Sequence, residues 1–255
     1  MKLTSDKSVF EKYAHEYDLM TNAGHREEFH GSEVAALVAK FKPESVLDAG
    51  CATGLTSMLF AKSGCSTIGL DRSQRMLAEA RKKYGDSGLP LEFRFGQFEK
   101  LPRPLHHKFD LVVCLANSIS GVHTLSGLWK SLRSFNDVLR PGGNLVLQLL
   151  NYSAIKESEL VPIRTTINDG LVYIRFSERH RRRFFVYTVR LDMNADLSAF
   201  EVFRHDFDNF TEKEIYSSLR TAGFGQFHKY GDLLLKKRFA RASRDLIVTA
   251  KKPLT

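Results

Sequence analysis

The most restrictive feature of this sequence is the stretch SVLDAGCATGLTSMLF, residues 45–60. It begins with a short apolar run, passes through a loop with an acid and two glycines, and continues with apolar residues at helical spacing. This pattern predicts a strand, a tight turn and a helix. Glycine tolerates a positive φ and lets another group approach the backbone closely, so Gly50 and Gly54 indicate a ligand lying against the loop.

Strands and helices continue to alternate after this unit as far as residue 150. Strands that alternate with helices form a parallel sheet that is covered by helices on both faces. The sequence therefore predicts a doubly wound α/β fold. The predicted strands are 45–50, 66–71, 91–95, 109–115 and 143–150, and the predicted helices between them are 54–63, 73–84 and 125–139.

Residues 152–210 interrupt this alternation. They contain strand-like segments joined by short turns, such as the one at 168–170, which predicts an antiparallel β meander inserted into the α/β fold. We therefore expect residues 1–151 and 211–255 to form one domain and residues 152–210 to form an inserted subdomain.

The alternating pattern returns after the insert. Residues 211–224 predict a helix with Thr211 as the N-cap, Glu214 at capping-box spacing and Gly223 as the C-terminal stop. The last strands are predicted at 225–230 and 245–251.

The composition is that of an ordinary globular protein. With 43% hydrophobic residues, the chain can bury one substantial core. The N-terminus has no signal-peptide core, and no apolar run approaches the roughly 20 residues that span a bilayer. Cys51, Cys65 and Cys114 lack CxxC spacing, which favours reduced, buried thiols over disulfides or a metal site. We therefore expect a cytoplasmic protein with no membrane segment and no metal.

The formal net charge of +9 favours anionic partners. Most of the excess lies in residues 229–252, which hold eight Lys or Arg against two Asp. A solvated loop and strand end is the favoured interpretation, with a nucleic-acid contact as the alternative, because few aromatic residues are interleaved for base stacking. Residues 152–210 hold nine basic and nine acidic residues, which is not typical of a nucleic-acid clamp.

Ligands of a doubly wound sheet bind beyond the carboxyl ends of the strands, near the point where the strand order reverses. A nicotinamide dinucleotide requires G-x-G-x-x-G, whereas Gly50 is followed by Ala52 and Leu55 at the corresponding positions. A nicotinamide dehydrogenase is therefore only a remote alternative. The loop instead carries Asp48 two residues before its first glycine and Gly54 four residues after it.

Residues 48–54 resemble the D/E-x-G-x-G-x-G motif of the class I S-adenosylmethionine (SAM)-dependent methyltransferases, with Ala52 in place of the middle glycine. IGLDRS, FGQFEKLP, FDLVVCLANSIS and LRPGGNLVLQLLNY are similar to later motifs of that family. The resemblance covers residues 10–151 and 211–252 and implies a seven-stranded Rossmann-like sheet that binds SAM and releases S-adenosylhomocysteine. It also implies that the insert covers the pocket or forms a subunit contact, in a monomer or a homodimer.

The resemblance implies that Asp71 binds both ribose hydroxyls of SAM. It assigns the other cofactor contacts to the glycine loop and the neighbouring strand ends, at Asp48, Ala49, Gly50, Gly54, Arg72, Gln97, Phe98, Leu115, Ala116 and Ser118. Structural alternatives remain open for several of these residues. Asp71 would cap the following helix, Phe98 would belong to the core and Gln97 to a solvated turn. Asp48 would hold the amides of the loop.

Within the family, the chain looks most like the glycine- and sarcosine-type small-molecule N-methyltransferases, because of KYAHEYD near the N-terminus and the later LANS and NY. This resemblance implies that Tyr13 closes over SAM and that Arg26 pairs with its carboxylate. It also implies that Asn117 faces the methyl acceptor and that Tyr152 lines the rim of the pocket. Each residue also has a structural alternative. Tyr13 would lie on an ordinary helix face, Arg26 would be a solvated surface charge, and Asn117 would only turn the chain.

Methyl transfer from a sulfonium requires an aligned nucleophile and no covalent intermediate, so positioning supplies much of the rate. A desolvating pocket favours the neutral, reactive form of an amine. His123 would remove a proton from a harder acceptor, or would simply be exposed. The sequence predicts a SAM-dependent enzyme that methylates a small molecule, at nitrogen in preference to oxygen, with Tyr13, Asn117 and His123 as candidate catalytic residues. The alternatives are a tRNA or protein methyltransferase and a non-catalytic SAM-binding regulator.

Overall fold

The computed structural model describes residues 3–4, 11–194 and 200–254, without the side chains of residues 3–4 and 23–26. The strands are β1 (Leu3–Thr4), β2 (Ser45–Ala49), β3 (Ser66–Asp71), β4 (Leu91–Phe95), β5 (Phe109–Cys114), β6 (Leu139–Leu150), β7 (Leu160–Asn168), β8 (Leu171–His180), β9 (Arg183–Asp192), β10 (Phe200–Asp208), β11 (Gly225–Tyr230) and β12 (Asp245–Lys251). The α-helices are α1 (Tyr17–Thr21), α2 (Ala23–Phe41), α3 (Leu55–Lys62), α4 (Gln74–Tyr84), α5 (Leu125–Val138) and α6 (Glu212–Thr221).

Seven strands form the larger sheet, in the order β11-β12-β6-β5-β2-β3-β4. Strands β6, β5, β2, β3 and β4 are parallel, and β12 runs antiparallel to both β6 and β11. The chain leaves β2 for β3 on one side and returns to β5 on the other, so the strand order reverses between β2 and β5. The predicted doubly wound fold is confirmed, with its switch point beside the glycine loop.

Alternating residues of the central strands build a core on each face of this sheet. Leu47, Val112 and Leu145 pack on the side of helices α5 and α6. Their neighbours Val46 and Val146 pack on the other side, with helices α2 and α3. Strands buried on both faces lack polar alternation, which is why these segments read as continuous apolar runs in the sequence.

Element boundaries agree with the sequence-based prediction at most positions. Helix α6 begins with a complete capping box between Thr211 and Glu214, and Gly223 follows it at a φ of +92°. The prediction for β6 was wrong at its start, because the strand begins at Leu139 rather than at residue 143. Leu139 already pairs with Phe109 of β5, and the register shifts after that pair, so Pro141 lies within an irregular strand end that tolerates its missing amide.

The second sheet contains five strands in the order β1-β10-β9-β8-β7. Strands β7 to β10 are consecutive antiparallel neighbours, as a meander requires. Strand β1 pairs in parallel with β10, which the sequence did not predict. A two-residue strand carries too little pattern for recognition, and its pairing ties the N-terminus to the second sheet.

The basic C-terminal region is divided among several environments. The ammonium group of Lys252 donates to the carbonyl oxygens of Asn136 and Leu139, at 2.6 and 2.8 Å. Lys229 pairs with Glu212 at 2.6 Å. These two cations are therefore engaged within the protein, and a nucleic-acid contact by the remaining ones stays a prediction.

The three cysteines are buried free thiols, as expected. No helix within the described ranges is long and apolar enough to cross a membrane. The same residues include no cluster of three or more His, Cys, Asp or Glu arranged to hold a metal ion.

Candidate cofactor and acceptor site

The glycine loop is fixed against the end of β3. The amides of Gly50 and Cys51 both donate to the carbonyl oxygen of Leu70, at 2.7 and 3.0 Å. Ala52 adopts a φ of +48°, a left-handed conformation that costs a residue with a Cβ about 1–2 kcal/mol. The loop therefore keeps the turn typical of glycine at a position where the sequence supplies alanine.

Gly50 and Gly54 both lie at a φ of +87°, and both are closely approached by side chains of the protein. A Cβ on Gly54 would lie 2.6 Å from the ring of Phe93, and one on Gly50 would lie 2.8 Å from Ser118. The need for glycine thus arises from packing between the loop, α4, β4 and the end of β5. The predicted ligand against the loop is not required to explain the two glycines, and its binding there stays a prediction.

Asp71 links the glycine loop to the start of α4. One carboxylate oxygen accepts a hydrogen bond from the amide of Ala52, and the other accepts one from the amide of Ser73, both at 2.9 Å. Burial raises the pKa of Asp71, and these two amide hydrogen bonds oppose the rise. The N-cap of α4 is Ser73, whose hydroxyl accepts from the amide of Met76. Ser73, and not Asp71, therefore caps helix α4. Arg72, the residue between them, is exposed.

Asp48 is buried beneath the loop, with 2% of its surface exposed. Its carboxylate accepts a 2.6 Å hydrogen bond from the hydroxyl of Ser57 on α3. Burial raises the pKa of Asp48 to about 6, and the nearby charge of Asp71 adds to the rise. The structure thus places Asp48 on the helix side of the loop, next to the fully buried Ala49.

Replacing Asp48 with Asn is expected to stabilise the protein increasingly as the pH rises. Because the pKa of Asp48 is higher in the folded state, about 6 against 3.8, the folded protein binds more protons between these values and wild-type stability falls across this window. Neutral Asn can still accept from Ser57. The difference in free energy of unfolding between variant and wild type should grow by roughly 3 kcal/mol from below pH 4 to above pH 6, measured by denaturant unfolding.

Asp110→Asn is the matched control for this measurement. Hydrogen bonds from Ser45 and the charge of Arg140 outweigh the effect of burial and lower the pKa of Asp110. Its charged form therefore stabilises the fold, and this contribution is lost as the pH falls through the lowered pKa. The difference between Asp110→Asn and wild type should run in the opposite direction with pH. Parallel curves for the two variants would contradict the assignment.

The expected adenine contacts lie after β4. Gln97 is exposed, and its backbone forms an isolated antiparallel β-bridge with that of Lys100. Phe98 packs edge-to-face on Phe135, with 5.5 Å between ring centroids, and would lie 3.2 Å from a Cβ on Gly50. Phe98 thus belongs to the core and also borders the glycine loop.

The turn after β5 carries two consecutive residues with left-handed backbone, Ala116 and Asn117, at φ values of +51° and +66°. The amide of Ala116 donates to the side chain of Gln148, and that of Asn117 donates to the Gln148 carbonyl oxygen. Two strained residues in succession are typical of a functional turn. Leu115 is buried behind them, while Ser118 lies against Gly50.

The side chain of Asn117 is buried and fully engaged. Its amide nitrogen donates to the hydroxyl of Tyr152 at 2.7 Å, and its oxygen accepts from the Ser120 hydroxyl and the Leu150 amide, both at 3.1 Å. Tyr152 itself is buried, and burial raises its pKa to about 12. The structure therefore places Asn117 as a connection between the ends of β5 and β6. Its contact with the methyl acceptor stays a prediction.

His123 follows the 3₁₀ turn Ser118–Val122 at a φ of +59° and is half-buried. That turn packs against β10, where Asp208 is buried. Burial raises the pKa of Asp208, while the positive charges of Arg183 and His123 oppose the rise. His123 is thus placed between the larger sheet and the second sheet, on the side of Tyr152.

The N-terminal segment, residues 11–22, joins the glycine loop to the second sheet. The hydroxyl of Thr53 donates to Asp18 at 2.6 Å, and Lys83 of α4 pairs with the same carboxylate. Glu16 is buried and forms two 2.8 Å hydrogen bonds with Arg190 of β9. These contacts link residues far apart in the chain, so no local signal in the sequence identifies them.

Tyr13 belongs to this segment and lies against the second sheet. Its hydroxyl donates to Glu201, its ring packs edge-to-face on Phe203 at 5.4 Å between centroids, and the guanidinium of Arg190 lies 4.7 Å from its ring. The predicted closure of Tyr13 over a cofactor stays a prediction. The side chain of Arg26 lies outside the described part of the chain.

Comparison with known proteins agrees with the motifs. Residues 46–143 match the sequence model of a family described as "Methyltransferase domain". The glycine/sarcosine N-methyltransferase of Parasynechococcus marenigrum is 28% identical over 151 residues, which are 59% of this chain and 54% of that protein. The dTDP-3-amino-3,4,6-trideoxy-alpha-D-glucopyranose N,N-dimethyltransferase of Streptomyces venezuelae is 34% identical over 123 residues, 46% of this chain and 48% of that protein. The chain thus spans about half the length of these relatives.

Solved structures agree over more of the chain. An S-adenosylmethionine-dependent methyltransferase from Clostridium acetobutylicum superimposes with a TM-score of 0.77, at 18% identity, over 96% of this chain and 99% of that one. At that identity the likeness establishes the fold, including the second sheet within the aligned region.

Proposed function

We infer that the chain, which carries a class I methyltransferase domain, binds SAM and transfers its methyl group to a small-molecule acceptor, at nitrogen in preference to oxygen. The observation that carries this proposal is the junction of the glycine loop with Asp71. A half-buried carboxylate, held by two backbone amides at the end of β3, lies beside a left-handed loop at the switch point of the sheet.

The chemistry of the junction fits SAM. Asp48 and Asp71 place two carboxyl groups at the ends of neighbouring strands, and the charge of Asp71 contributes to the raised pKa of Asp48. Such a region favours a ligand with positive charge. Each oxygen of Asp71 accepts one amide hydrogen bond and has a further lone pair for a sugar hydroxyl. When bound, SAM supplies a methyl group on a positively charged sulfur.

The residues of this chain contribute positioning and desolvation. Asn117 and Tyr152 fix the turn after β5 to the end of β6. The second sheet contacts Tyr152 through Phe184, and the N-terminal segment contacts the glycine loop through Asp18 and Thr53. Alignment of donor and acceptor can supply about 7–11 kcal/mol of the barrier. A covered pocket also lowers the pKa of an amine, so the neutral nucleophile forms without a dedicated base.

The relatives support nitrogen as the methylated atom, since the two described above are named as N-methyltransferases. The same two names differ in their acceptor, a small amino acid in one and an amino sugar in the other. We therefore propose a small amine as the acceptor. The shape of the acceptor pocket would select the carbon skeleton of this amine. Residues 152–210 are proposed as the subdomain that sets this shape.

Asp71→Ala is the test of the cofactor site. Loss of the hydrogen bonds to a charged group, worth about 1.5 kcal/mol or more, should raise the dissociation constant for SAM at least about tenfold, measured by calorimetry. Ser73→Ala is the control, because it removes the cap of α4 and destabilises the protein by about 1 kcal/mol without touching the loop. Equal affinities in wild type and Asp71→Ala would refute the ribose assignment.

A further inference from the structure

The loop that joins β11 to β12 carries unmatched positive charge. Its second half, residues 236–244, holds five Lys or Arg and no Asp or Glu. All five cations are exposed, and we call them the basic loop cluster: Lys236, Lys237, Arg238, Arg241 and Arg244. Burial raises the pKa of the adjoining Asp245, and the charge of Arg244 opposes the rise. The side chains of the other four cations form no ion pair with any residue that the structure describes.

The start of this loop is held against the core. The side chain of Asp232 accepts hydrogen bonds from the amides of Lys236 and Lys237, at 3.2 and 3.4 Å. Leu233 is 1% exposed and belongs to the core on the side of α2 and α3. The amide of Gly231 donates to the carbonyl oxygen of Lys237 at 2.9 Å. The cations therefore project from a fixed backbone, and binding to them costs less conformational entropy than ordering a mobile segment.

The end of this loop is tied to the carboxyl edge of the larger sheet. The side chain of Asn151, the first residue after β6, donates to the carbonyl oxygens of Arg241 and Ser243, at 2.9 and 2.8 Å. The backbone amide of Asn151 donates to the carbonyl oxygen of Arg244 at 2.9 Å. Tyr152, which binds Asn117, is the next residue. The basic loop cluster thus lies at the edge of the sheet that carries the candidate site.

The exposed atoms of the loop discriminate among anionic partners. A protein partner requires aromatic or aliphatic anchors at the centre of an interface, where Lys is depleted. A membrane surface requires an exposed apolar face, and single-stranded nucleic acid requires exposed rings for stacking. The phosphodiester backbone of a duplex requires only cations. The large apolar side chains of residues 231–244, all of which the structure describes, are buried or half-buried: Leu233, Leu234, Leu235 and Phe239.

We propose that the basic loop cluster is a docking surface for a double-stranded nucleic acid, which it binds through the phosphodiester backbone. A duplex carries one negative charge per about 1.7 Å of its axis, so several phosphates face the five cations at once. The guanidinium groups bind pairs of phosphate oxygens, and the ammonium groups add point charges. The net charge of +9 attracts the same partner over a longer distance. This docking surface goes beyond the proposed function and does not depend on it.

The salt dependence of binding tests the number of phosphate contacts. A short fluorescent RNA duplex and the DNA duplex of the same sequence are titrated with the whole chain, without SAM, and binding is followed by anisotropy. Five contacts should weaken binding by about 500-fold between about 50 and about 200 mM salt. Lys236→Gln combined with Lys237→Gln leaves three contacts, and the loss over the same range should fall to about 40-fold. The tighter duplex tells which of the two backbones the cluster prefers.

Lys82→Gln combined with Lys130→Gln is the matched control. Both lysines are exposed, on α4 and α5, and their replacement removes the same two positive charges from the chain. This variant should keep the salt dependence of wild type. An equal change in the two double variants would mean that net charge alone attracts the duplex, and it would overturn the proposal.

Two further results would also overturn the docking surface. The first is no binding of either duplex by wild type at about 50 mM salt, where five phosphate contacts are strongest. The second is polyglutamate binding at least as tight as that of the duplexes, which would identify an acidic protein as the partner. Neither result bears on SAM, so the proposed function is judged separately by the calorimetry of Asp71→Ala.

Discussion

Replacing Gly54 with alanine is expected to lower the free energy of unfolding by about 3 kcal/mol. Two effects add at this position. The φ of +87° costs a residue with a Cβ about 1–2 kcal/mol. The new methyl group would also lie 2.6 Å from the ring of Phe93 and 3.1 Å from Ala80, and overpacking of this kind costs about 1–3 kcal/mol. Urea unfolding of both proteins measures the difference.

Gly64 provides the matched control. It has a φ of +88°, but a Cβ there meets nothing within 4 Å. Gly64→Ala therefore pays only the backbone cost, about 1 kcal/mol. Phe93→Leu in the Gly54→Ala background should recover part of the remaining loss. Equal destabilisation by Gly54→Ala and Gly64→Ala would show that Phe93 and Ala80 do not enforce glycine at position 54.

Gly54→Ala also tests whether the packing of the glycine loop affects the binding of SAM. If the proposed cofactor site is correct, displacement of Phe93 or of the loop moves the Ala52 amide away from Asp71, because the two are joined by a 2.9 Å hydrogen bond. SAM affinity should then fall together with stability. If the free energy of unfolding falls while the affinity for SAM is unchanged, Gly54 serves the packing of the loop and not the binding of the ligand.

Local sequence signals predicted the larger sheet and its connections well. The strand at 45–50, the helix with Thr211 and Glu214 at its start, and the apolar strand ending at Leu150 each carry their cause within a dozen residues. Periodicity, capping and turn chemistry are short-range effects, so a single sequence records them. Asp71 could be singled out for the same reason, since it ends a strand that directly follows the glycine-loop unit.

The environment of the candidate acceptor site could not be predicted in this way. Asn117 follows an apolar strand, which is typical of a binding turn, yet its amide is used by Tyr152, 35 residues later in the chain. Glu16 and Arg190 are 174 residues apart. Such contacts depend on how two sheets meet, and side chains on the facing strands show only the ordinary alternation of a half-buried meander.

Replacing Glu16 with Gln is the second change with a large expected effect. Glu16 accepts hydrogen bonds from Nε and Nη2 of Arg190, both at 2.8 Å, and a further one from the hydroxyl of Tyr173. Glu16 is buried and Arg190 is half-buried, with 8% and 14% of their side chains exposed. Removal of one charge from a buried pair costs about 3–5 kcal/mol, because the other charge is left uncompensated. Asp192 lies 3.8 Å from Arg190 and still compensates part of its charge in the variant. We therefore expect a loss near the lower end of this range, about 3 kcal/mol.

Two further variants separate the buried pair from ordinary surface charge. Lys12→Met breaks the neighbouring but exposed pair with Glu201, and its cost should stay below about 1 kcal/mol. Glu16→Gln combined with Arg190→Met removes both charges and should recover much of the loss. A double variant that is as unstable as Glu16→Gln would contradict the uncompensated charge as the cause.

Glu16→Gln should also weaken SAM binding, although Glu16 makes no contact with the glycine loop. The N-terminal segment holds the loop through Asp18 and Thr53 at 2.6 Å, and it is held by the second sheet through Glu16. Once the Glu16 contact is lost, the segment exchanges between attached and detached forms, and only the attached form keeps the Asp18 contact. Limited proteolysis should then cut within residues 11–22, and added SAM should slow this cleavage. Faster cleavage that SAM does not slow would mean that the segment stabilises the fold without closing the cofactor site.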